Sequence, residues 1–397
     1  MTEINKVIFC KKCVISNQRP ASVVEFSEDS LRDKETIFLD DEGICAACRY
    51  ADIKNNNIDW QERERSLINL CDKFRSRNGS YDCVVPGSGG KDSAFTAHVL
   101  KYKYNMNPLT VTWAPHQYTD IGWQNFQKWI EIGGFDNLLI NPNGKVHRLI
   151  TKLAFLNLCH PFQPFIIGQK IVGPRIALQN KIPLIFYGEN QAEYGNNMKD
   201  NESPTMDNKF FIGKKDYDKV ILGGVTASKL MRDHNIKKSD LNLYMPIEQK
   251  EKENIDLKMY YLGYYLKWDP QEMYYYASEN TGFIANDERT EGTYSKYSGI
   301  DDRMDTLHYF TYLIKFGLGR ASYDASQEIR TNKITREEGV ALVNKYDLEI
   351  PKRYFSDMLD YMDITEDKFW QVIDKYRPEH LWKKVNNEWV LKYPVKN

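Results

Sequence analysis

The residues best suited to chemistry lie at 84–98, VVPGSGGKDSAFTAH, where an apolar, β-branched run meets a helix-like stretch through a glycine-rich turn. Glycines let a backbone approach a ligand closely, and a helix start offers unpaired N–H groups at a positive dipole end. The Ser88 and Ser93 hydroxyls add donors, and Lys91 adds a mobile positive charge. The stretch therefore predicts a site for a polyanion, most simply a phosphate compound.

The spacing of this turn excludes two common nucleotide motifs. A GxxxxGK[ST] P-loop fails because Asp92 follows Gly90-Lys91 and Val85 stands where the first glycine should be. A GxGxxG fingerprint starting at Gly87 fails because Asp92 replaces its last glycine. What remains, SGGKDS, resembles the PP-loop of the N-type ATP pyrophosphatases, which include GMP synthetase, asparagine synthetase and tRNA lysidine synthetase. A glycine-rich turn without a ligand is the plain alternative.

The PP-loop resemblance implies that ATP binds here and that an acceptor oxygen attacks its α-phosphorus while the loop holds pyrophosphate. The residues implied in nucleotide binding are Ser88, Gly89, Gly90, Lys91, Asp92 and Ser93. Lys91 is expected to stabilise the departing pyrophosphate, and Asp92 to shape the loop or hold Mg²⁺. Lys91 and Asp92 are therefore the predicted catalytic residues of the loop.

Two CxxC pairs near the N-terminus predict a metal site. Cys10, Cys13, Cys45 and Cys48 can place four thiolates tetrahedrally around Zn²⁺. The 31 residues between the pairs exceed the spacing of about 15–20 residues in common zinc ribbons, so extra hairpin structure is expected there. Four thiolates leave no open coordination position, which predicts a structural zinc; reduced, unligated thiols are the alternative. The three other cysteines, Cys71, Cys83 and Cys159, are expected to be buried thiols.

The segments around the loop predict an α/β fold of the adenine-nucleotide α-hydrolase-like (PP-loop) type. Short apolar runs, YDCVVP, LTVTW, NLLIN and IPLIFYG, alternate with helical stretches at about 92–104, 121–132, 145–158 and 165–180. This alternation favours a mostly parallel sheet flanked by helices. MYYLGYYLKW at 259–268 is interpreted as a further strand, and the pattern beyond about 300 as helical to the end. Thr335 and Glu338 have the spacing of a capping box.

The same pattern predicts three regions. Residues 1–59 are interpreted as a zinc-binding module with strand-like pieces VVEF and TIFL. Residues 60–300 form the PP-loop domain, which opens with a helix at 60–78 and has a polar insertion at about 189–258. Residues 301–397 form a helical C-terminal region.

The overall composition argues against nucleic-acid and membrane partners. The 397-residue chain has a net charge of −1 and no Lys/Arg block. Its first residues, MTEINKVIFC, are too short and polar for a signal peptide, and no run of eighteen apolar residues is present. A cytoplasmic protein without a membrane span is the expectation.

Six longer motifs narrow the resemblance to the N-acetyl sugar amidotransferases, over about residues 8–345. They are CKKCVISNQRP with FLDDEGICAACRY, PGSGGKDS, FYGENQAEYGN, YLGYYLKWDP, GTYSKYSGIDDRMD, and FGLGRASYDASQEIR with ITREEGVALV. That family makes acetamidino groups on nonulosonic acids, such as pseudaminic and legionaminic acid, and on O-antigen sugars. The resemblance implies conversion of a sugar N-acetyl group to an acetamidine with ATP and ammonia, in lipopolysaccharide biosynthesis or flagellin glycosylation. The identity of the sugar stays open, as does whether it is free or linked to a nucleotide.

Further site residues are expected in loops at the carboxyl ends of the strands. Glu189 and Asn190, with Glu193 and Asn197, follow IPLIFY and are candidates to bind Mg²⁺ or orient the acetamide; a polar surface loop is the alternative. Thr112 and Trp113, with His116, follow LTVTW, where this superfamily usually contacts adenine. A plain surface histidine is the alternative for His116.

The C-terminal third supplies candidates for binding the sugar. Arg320, Asp324 and Arg330 are interpreted as groups for a sugar carboxylate, and a structural ion pair is the equal alternative. Tyr294 and Lys296, with Tyr297, are candidates for a sugar platform or a cover over ATP, and core packing explains the tyrosines as well. The run Tyr274–Tyr276 is expected to pack.

The sequence offers no nitrogen-releasing site of its own. Thr2 stands where an N-terminal-nucleophile glutaminase needs cysteine, and no cysteine after the loop lies on a glycine-rich elbow. Ammonia is therefore expected from a separate glutaminase with a cyclase-like subunit, resembling the subunits of imidazole-glycerol-phosphate synthase. Rival interpretations are a tRNA-modifying PP-loop enzyme, of thiolase or lysidine type, and a non-catalytic scaffold.

Overall fold

The computed structural model describes residues 6–189, 191–194 and 203–397. Its strands are β1 (Cys83–Pro86), β2 (Pro108–Trp113), β3 (Asp136–Ile140), β4 (Leu184–Tyr187), β5 (Ile221–Leu222), β6 (Val225–Thr226), β7 (Lys258–Tyr261), β8 (Trp382–Val385) and β9 (Glu388–Leu391). Strands β3-β2-β1-β4-β7 form one five-stranded sheet in that order, and each neighbouring pair is parallel. The predicted parallel α/β sheet is confirmed.

Helices connect and cover these strands. They are α1 (Ala46–Asn56), α2 (Trp60–Phe74), α3 (Lys91–Tyr102), α4 (Asp120–Glu131), α5 (Gly144–Leu158), α6 (Gln163–Gln179), α7 (Ala227–His234), α8 (Lys238–Leu241), α9 (Gln249–Glu253), α10 (Leu262–Tyr265), α11 (Pro270–Thr281), α12 (Asp305–Phe316), α13 (Arg320–Arg330), α14 (Arg336–Tyr346), α15 (Phe355–Met362) and α16 (Glu366–Lys375).

The central strands β1, β2 and β4 are mostly apolar and almost entirely buried, because both faces of the sheet are covered. Successive residues of a strand point to opposite faces, and Val84 belongs to the core that contains Ile171 of α6. Its neighbour Val85 belongs to the core that contains Phe95 of α3. Helix α6 therefore covers one face and α3 the other.

The strand order reverses between β1 and β4, which places a crevice at their carboxyl ends. From β1 the chain proceeds outward to β2 and β3, and then returns to place β4 on the other side of β1. Ligands of open α/β sheets bind at such a switch point. The glycine-rich loop follows β1 here, and Gly188-Glu189 follows β4.

The insertion and the C-terminal region pack into the same core as the sheet. One buried cluster contains Phe26 of the N-terminal region, Leu230 of α7 and Leu313 of α12 together with Val84. The capping box at α14 is confirmed, since Thr335 Oγ1 accepts from Glu338 N at 3.2 Å and Glu338 Oε2 accepts from Thr335 N at 2.8 Å. No helix among the described residues is both long and apolar enough to cross a membrane.

Three local predictions are wrong. The segment 259–268 is strand only to Tyr261, because β4 offers four residues for pairing and the chain then turns into α10. The C-terminal region is helical as predicted as far as Lys375 but ends in the antiparallel hairpin β8–β9. VVEF and TIFL are not strands. Instead, Pro20 pairs with Thr36, and Leu39 pairs with Cys45, each in an isolated antiparallel bridge.

Candidate active site

The glycine-rich loop leaves the start of α3 open to a ligand. Gly90 is the N-cap of α3, and no side chain caps the first N–H groups of the helix. Ser93 Oγ donates back to the Gly90 carbonyl at 3.0 Å, which holds the first turn in shape. Unpaired N–H groups at a helix start bind anions. The local geometry thus suits the phosphate site that the sequence predicts.

Gly89 is required by both conformation and space. Its φ is +85°, a region that L side chains rarely adopt. A Cβ at this position would lie 2.8 Å from Phe126 Cα and 3.0 Å from the Asn125 carbonyl oxygen. The loop therefore lies directly against the backbone of α4, which fixes its position.

A second loop, residues 297–301, closes over the glycine-rich loop. The two loops line one pocket of about 190 Å³ together with Gly122 and Asn125 of α4, Phe283 and Arg320. Ser88 Oγ donates to Asp301 Oδ2 at 2.8 Å. Gly122 permits this approach, since a Cβ there would lie 2.5 Å from Asp301 Cα.

Carboxylates face one another beside the loop. Lys91 Nζ lies 2.6 Å from Asp92 Oδ2, while Asp92 Oδ1 is buried without a hydrogen-bond partner among the described residues. Glu189 follows β4, and burial raises its pKa, with a further contribution from the negative charge of Asp92. Tyr194 donates its hydroxyl to Glu189. Two mutually repelling carboxylates and an unpaired buried oxygen form a donor set that a divalent cation fits.

Arg320 forms the wall of the pocket on the side of α12 and α13. Its Nε donates to Asp324 Oδ1 at 3.1 Å, and its Nη1 lies 3.7 Å from Asp305 Oδ2. The guanidinium also lies over the ring of Tyr309, 4.2 Å from its centre. Burial raises the pKa of Asp305 to about 7, although the positive charge of Arg320 acts against that rise. Arg320 is thus paired with Asp324 within α13 and with Asp305 of α12, and the second contact is an ion pair between helices, one of the two interpretations.

The residues predicted to contact adenine lie inside the fold. Thr112 and Trp113 are buried in β2, and the Thr112 hydroxyl accepts from Asn137 Nδ2 at 3.0 Å. His116 is buried too, and its Nδ1 lies 2.7 Å from Asp302 Oδ2, so the alternative of a plain surface histidine is wrong. None of the three lines the pocket at the loop.

The stretch GTYSKYSGIDD divides between two locations. Tyr297 lines the pocket and stacks on Tyr274 with ring centres 4.4 Å apart. Tyr294 instead donates its hydroxyl to Glu328 Oε2 at 2.7 Å, and Lys296 is exposed and donates to the Asp287 carbonyl at 2.7 Å. Of the three candidates in this stretch, Tyr294, Lys296 and Tyr297, the structure brings Tyr297 to the loop.

Glu193 and Arg330 lie in contacts that join the N-terminal module to the rest of the chain. Lys54 is 1% exposed, and its Nζ donates to both Glu193 carboxylate oxygens at 2.8 and 2.9 Å and to the Trp268 carbonyl at 3.0 Å. Arg330 donates to the Glu193 carbonyl at 3.0 Å. These contacts are structural. Asn190 and Asn197 lie outside the described residues.

The four N-terminal cysteines form a cluster that could hold a metal ion. Cys10, Cys13, Cys45 and Cys48 are buried, and their sulfur atoms all lie within 4.8 Å of one another. Cys13 and Cys45 are 3.7 Å apart, close to the separation expected across a tetrahedral site with Zn–S bonds of about 2.3 Å. Three backbone N–H groups, those of Lys12, Cys13 and Cys45, point to Cys10 Sγ at 3.3–3.5 Å. The cysteines outside this cluster are buried, as predicted.

Asp301 and Asp305 are site residues to which the sequence analysis gave no role. Both lie in or beside the motif GTYSKYSGIDDRMD, which carried the family resemblance. The available signal was the cluster of three acids in IDDRMD, at the end of a tyrosine-rich loop. Their distance from the loop in sequence, 213 residues between Ser88 and Asp301, concealed it.

One known protein family matches the C-terminal part of the chain. Residues 291–395 match the family described as LPS biosynthesis protein WbpG-like, C-terminal domain. This match confirms the predicted relationship through that region. No curated protein matches the chain. The match relates this part of the chain to a family of lipopolysaccharide biosynthesis.

Two solved structures among those that match show a distant likeness. An NH3-dependent NAD synthetase from Campylobacter jejuni is 14% identical with a TM-score of 0.28, covering 34% of this chain and 59% of its own. The chain thus spans somewhat more than half the length of that protein. An NMN synthetase from Francisella tularensis is 13% identical with a TM-score of 0.33, covering 78% of this chain and 98% of its own. At such scores neither likeness carries an argument.

Proposed function

We propose that this chain is an ATP-dependent amidotransferase that converts a sugar N-acetyl group to an acetamidino group. One observation carries the proposal. The hydrogen bond from Ser88 to Asp301 joins the PP-loop-like turn to the segment that matches the WbpG-like domain, and both line one pocket. A phosphate site closed by a domain of a lipopolysaccharide-biosynthesis family supports ATP chemistry on a sugar, in cytoplasmic synthesis of surface glycans.

The chemistry needs two displacements. The acetamide oxygen attacks the α-phosphorus of ATP, and the bond from that phosphorus to the bridging oxygen of pyrophosphate breaks. Ammonia then adds to the imidate carbon, the C–O bond breaks with loss of AMP, and a proton leaves to give the amidine. An amide oxygen is a poor leaving group, whereas AMP is a good one, which is why ATP is consumed.

The residues of the loop stabilise the first displacement. The N–H groups at the start of α3 and the Lys91 ammonium bind the charge that develops on the departing pyrophosphate. Asp92 and Glu189 would hold Mg²⁺, because their unpaired and repelling carboxylate oxygens fit a hard cation; the ion would neutralise phosphate charge. Cys10, Cys13, Cys45 and Cys48 would hold Zn²⁺ as a structural ion.

The described cysteines argue against a tRNA thiolase. Such an enzyme needs an accessible nucleophilic thiol, but Cys159 is fully buried, and burial raises its pKa to about 11. Cys71 and Cys83 are buried as well.

Mass spectrometry of acetamido sugars tests the proposal. Enzyme, ATP and ammonium are incubated with nonulosonic acids, free and CMP-linked, and with UDP-linked acetamido uronic acids. The expected product is lighter by about one mass unit, as oxygen is replaced by NH, and AMP and pyrophosphate form in equal amounts. Release of ADP, or conversion of tRNA instead of any sugar, would contradict the proposal.

Replacing ammonium with glutamine tests the source of nitrogen. The isolated chain is expected to turn over with ammonium and to need a separate glutaminase for glutamine. Efficient use of glutamine by the isolated chain would show a hydrolytic site that the proposal lacks.

A further inference from the structure

A second enclosed space, the aromatic cavity, lies next to the loop pocket. Its volume is about 190 Å³, and the residues that line it include Arg19, Lys170, His308, Tyr309, Tyr312 and Tyr323. Arg19 comes from the N-terminal module, Lys170 from α6, and the others from α12 and α13. Pockets for drug-sized ligands measure roughly 300–1,000 Å³, so this space has room for a ligand about the size of one sugar ring.

Two cations of this cavity form no ion pair among the described residues, although the negative charge of Glu189 acts on Lys170. Arg19 is 7% exposed and lies over the rings of Tyr194 and Tyr323, at 5.7 and 5.2 Å from their centres. Lys170 lies over the ring of Tyr187 at 5.5 Å. In the part of the chain that the structure describes, neither forms an ion pair, whereas Lys34 of the same cavity is paired with Glu25 at 3.3 Å. Buried arginines are normally paired, so Arg19 is placed to meet an anion from outside the chain.

The remaining walls suit a sugar. Tyr309, Tyr312 and Tyr323 present aromatic surface, against which the C–H faces of a pyranose pack. His308 Nδ1 is buried without a hydrogen-bond partner among the described residues, and so offers one polar atom for a hydroxyl. The chemistry of the walls therefore matches a ring that carries hydroxyls and one negative group.

A single layer of side chains separates this cavity from the loop pocket. Tyr309 lines the cavity and packs against Arg320, which lines the loop pocket. On the other side, Arg19 lies over Tyr194, whose hydroxyl binds Glu189 beside Asp92. A sugar in the cavity thus lies beside the groups expected to handle ATP.

We propose that the aromatic cavity is the acceptor-sugar subsite, where Arg19 and Lys170 bind the carboxylate of an acidic acetamido sugar. This inference rests on the proposed function and adds its substrate-binding residues. The backbone of Arg19 is held inside the module by hydrogen bonds with the Ser16 and Ile37 backbones at 3.2 and 2.9 Å. The cysteine module therefore contributes a binding residue as well as stability. Arg320 is less suited to the carboxylate because Asp324 and Asp305 already neutralise it.

Kinetics of Arg19→Gln and Lys170→Met test the assignment, with Arg32→Gln as the matched control. Arg32 belongs to the same module, but its side chain is 68% exposed and pairs with Glu28. The full chain is assayed with ATP and ammonium on the panel of sugar acids given above and on their methyl esters. We expect KM for the sugar acid to rise roughly tenfold to a hundredfold in both variants, because a charge-assisted hydrogen bond is lost. KM for ATP and the zinc content stay unchanged, and Arg32→Gln behaves as wild type.

The methyl esters separate a carboxylate from a phosphate as the bound anion. Wild type should bind the ester about as weakly as Arg19→Gln binds the acid, and Arg19→Gln should no longer distinguish the two. Equal use of ester and acid by wild type, or an unchanged KM in zinc-loaded variants, overturns the assignment while leaving amidine formation intact. If wild type converts no sugar, the proposed function falls first, and the assignment with it. Lys170→Met keeps the test decisive if Arg19→Gln does not fold, since Lys170 lies on α6 outside the module.

Discussion

The loop pocket and the aromatic cavity are neighbours of similar volume that bind by opposite means. The loop pocket relies on backbone: a glycine with positive φ, uncapped N–H groups, and one lysine. The aromatic cavity relies on side chains: two cations that form no ion pair within the described part of the chain, and a set of tyrosine rings, from segments far apart in the sequence. Backbone sites lose binding when the main chain is forced to move, and side-chain sites lose it when one group is removed. The two pockets should therefore fail differently.

Gly89→Val gives the largest expected effect, because it attacks the backbone of the loop pocket. The side chain would require a positive φ and would overlap Phe126 Cα, which lies 2.8 Å from the Cβ position. We expect kcat/KM to fall at least about a thousandfold, with ATP binding lost in calorimetry. Gly90→Ala is the control for folding: its Cβ would meet only Ser88 Oγ at 3.8 Å, so the melting temperature should hold. Normal ATP binding by Gly89→Val would show that the loop does not hold the nucleotide.

Lys91→Ala removes a side chain from the same pocket and leaves the backbone in place. Turnover should fall about 10²–10³-fold, or roughly 3–4 kcal/mol of barrier, since Lys91 acts as pyrophosphate departs. KM for ATP should change much less, because the N–H groups remain. Lys103→Ala, at the other end of α3, should leave both constants unchanged. A large rise in KM with little change in kcat would mean that this pocket also binds through side chains.

Cys45→Ser tests whether the four cysteines bind a metal that stabilises the N-terminal module. One ligand is lost from the four-sulfur cluster, so metal content should drop and the free energy of unfolding should fall by about 2–3 kcal/mol. Cys71→Ser is the control, because Cys71 is buried but outside the cluster and should leave metal content unchanged. Metal analysis and denaturant unfolding measure both effects. Full metal retention in Cys45→Ser would contradict the ligand assignment.

The smallest effect concerns Asp305, which lies 3.7 Å from Arg320, a residue of the loop pocket. Its pKa in the folded chain is about 7, above the usual 3.8, chiefly because of burial. The folded chain therefore holds this proton more tightly than the unfolded chain does. That stabilisation is complete below about pH 4 and is lost as the pH rises through about 7, at no more than about 1.4 kcal/mol per pH unit. Urea unfolding between pH 5 and 8 should show that the free energy of unfolding declines less steeply with pH in Asp305→Asn than in wild type. Equal declines in the two proteins would mean that a different group titrates.

Features that depend on residues adjacent in the chain could be predicted from the sequence. The loop from Ser88 to Ser93 and the capping box at Thr335 are local, so spacing alone located them. The direction of side chains in an irregular segment was harder to predict: Tyr297 lines the pocket, whereas Lys296 donates to the Asp287 carbonyl. Arg19 was invisible as a site residue, since its meaning depends on Lys170 and Tyr323, which only the fold brings near. The strand at 258–261 ended early because its partner β4 ended, a constraint that no local pattern contains.

Lys54 also bears on the order in which the chain assembles. Its ammonium binds partners 139 and 214 residues further along the chain, Glu193 and the Trp268 carbonyl. Closing such long loops costs chain entropy, and leaving the charge in a dry interior costs more, so Lys54 is expected to stay hydrated until both partners are in place. The four cysteines lie close together in sequence and can bind metal before the module docks, whereas docking is expected to wait for both partners of Lys54. A ribosome-bound chain that has not yet emerged past Trp268 should therefore hold its N-terminal module undocked.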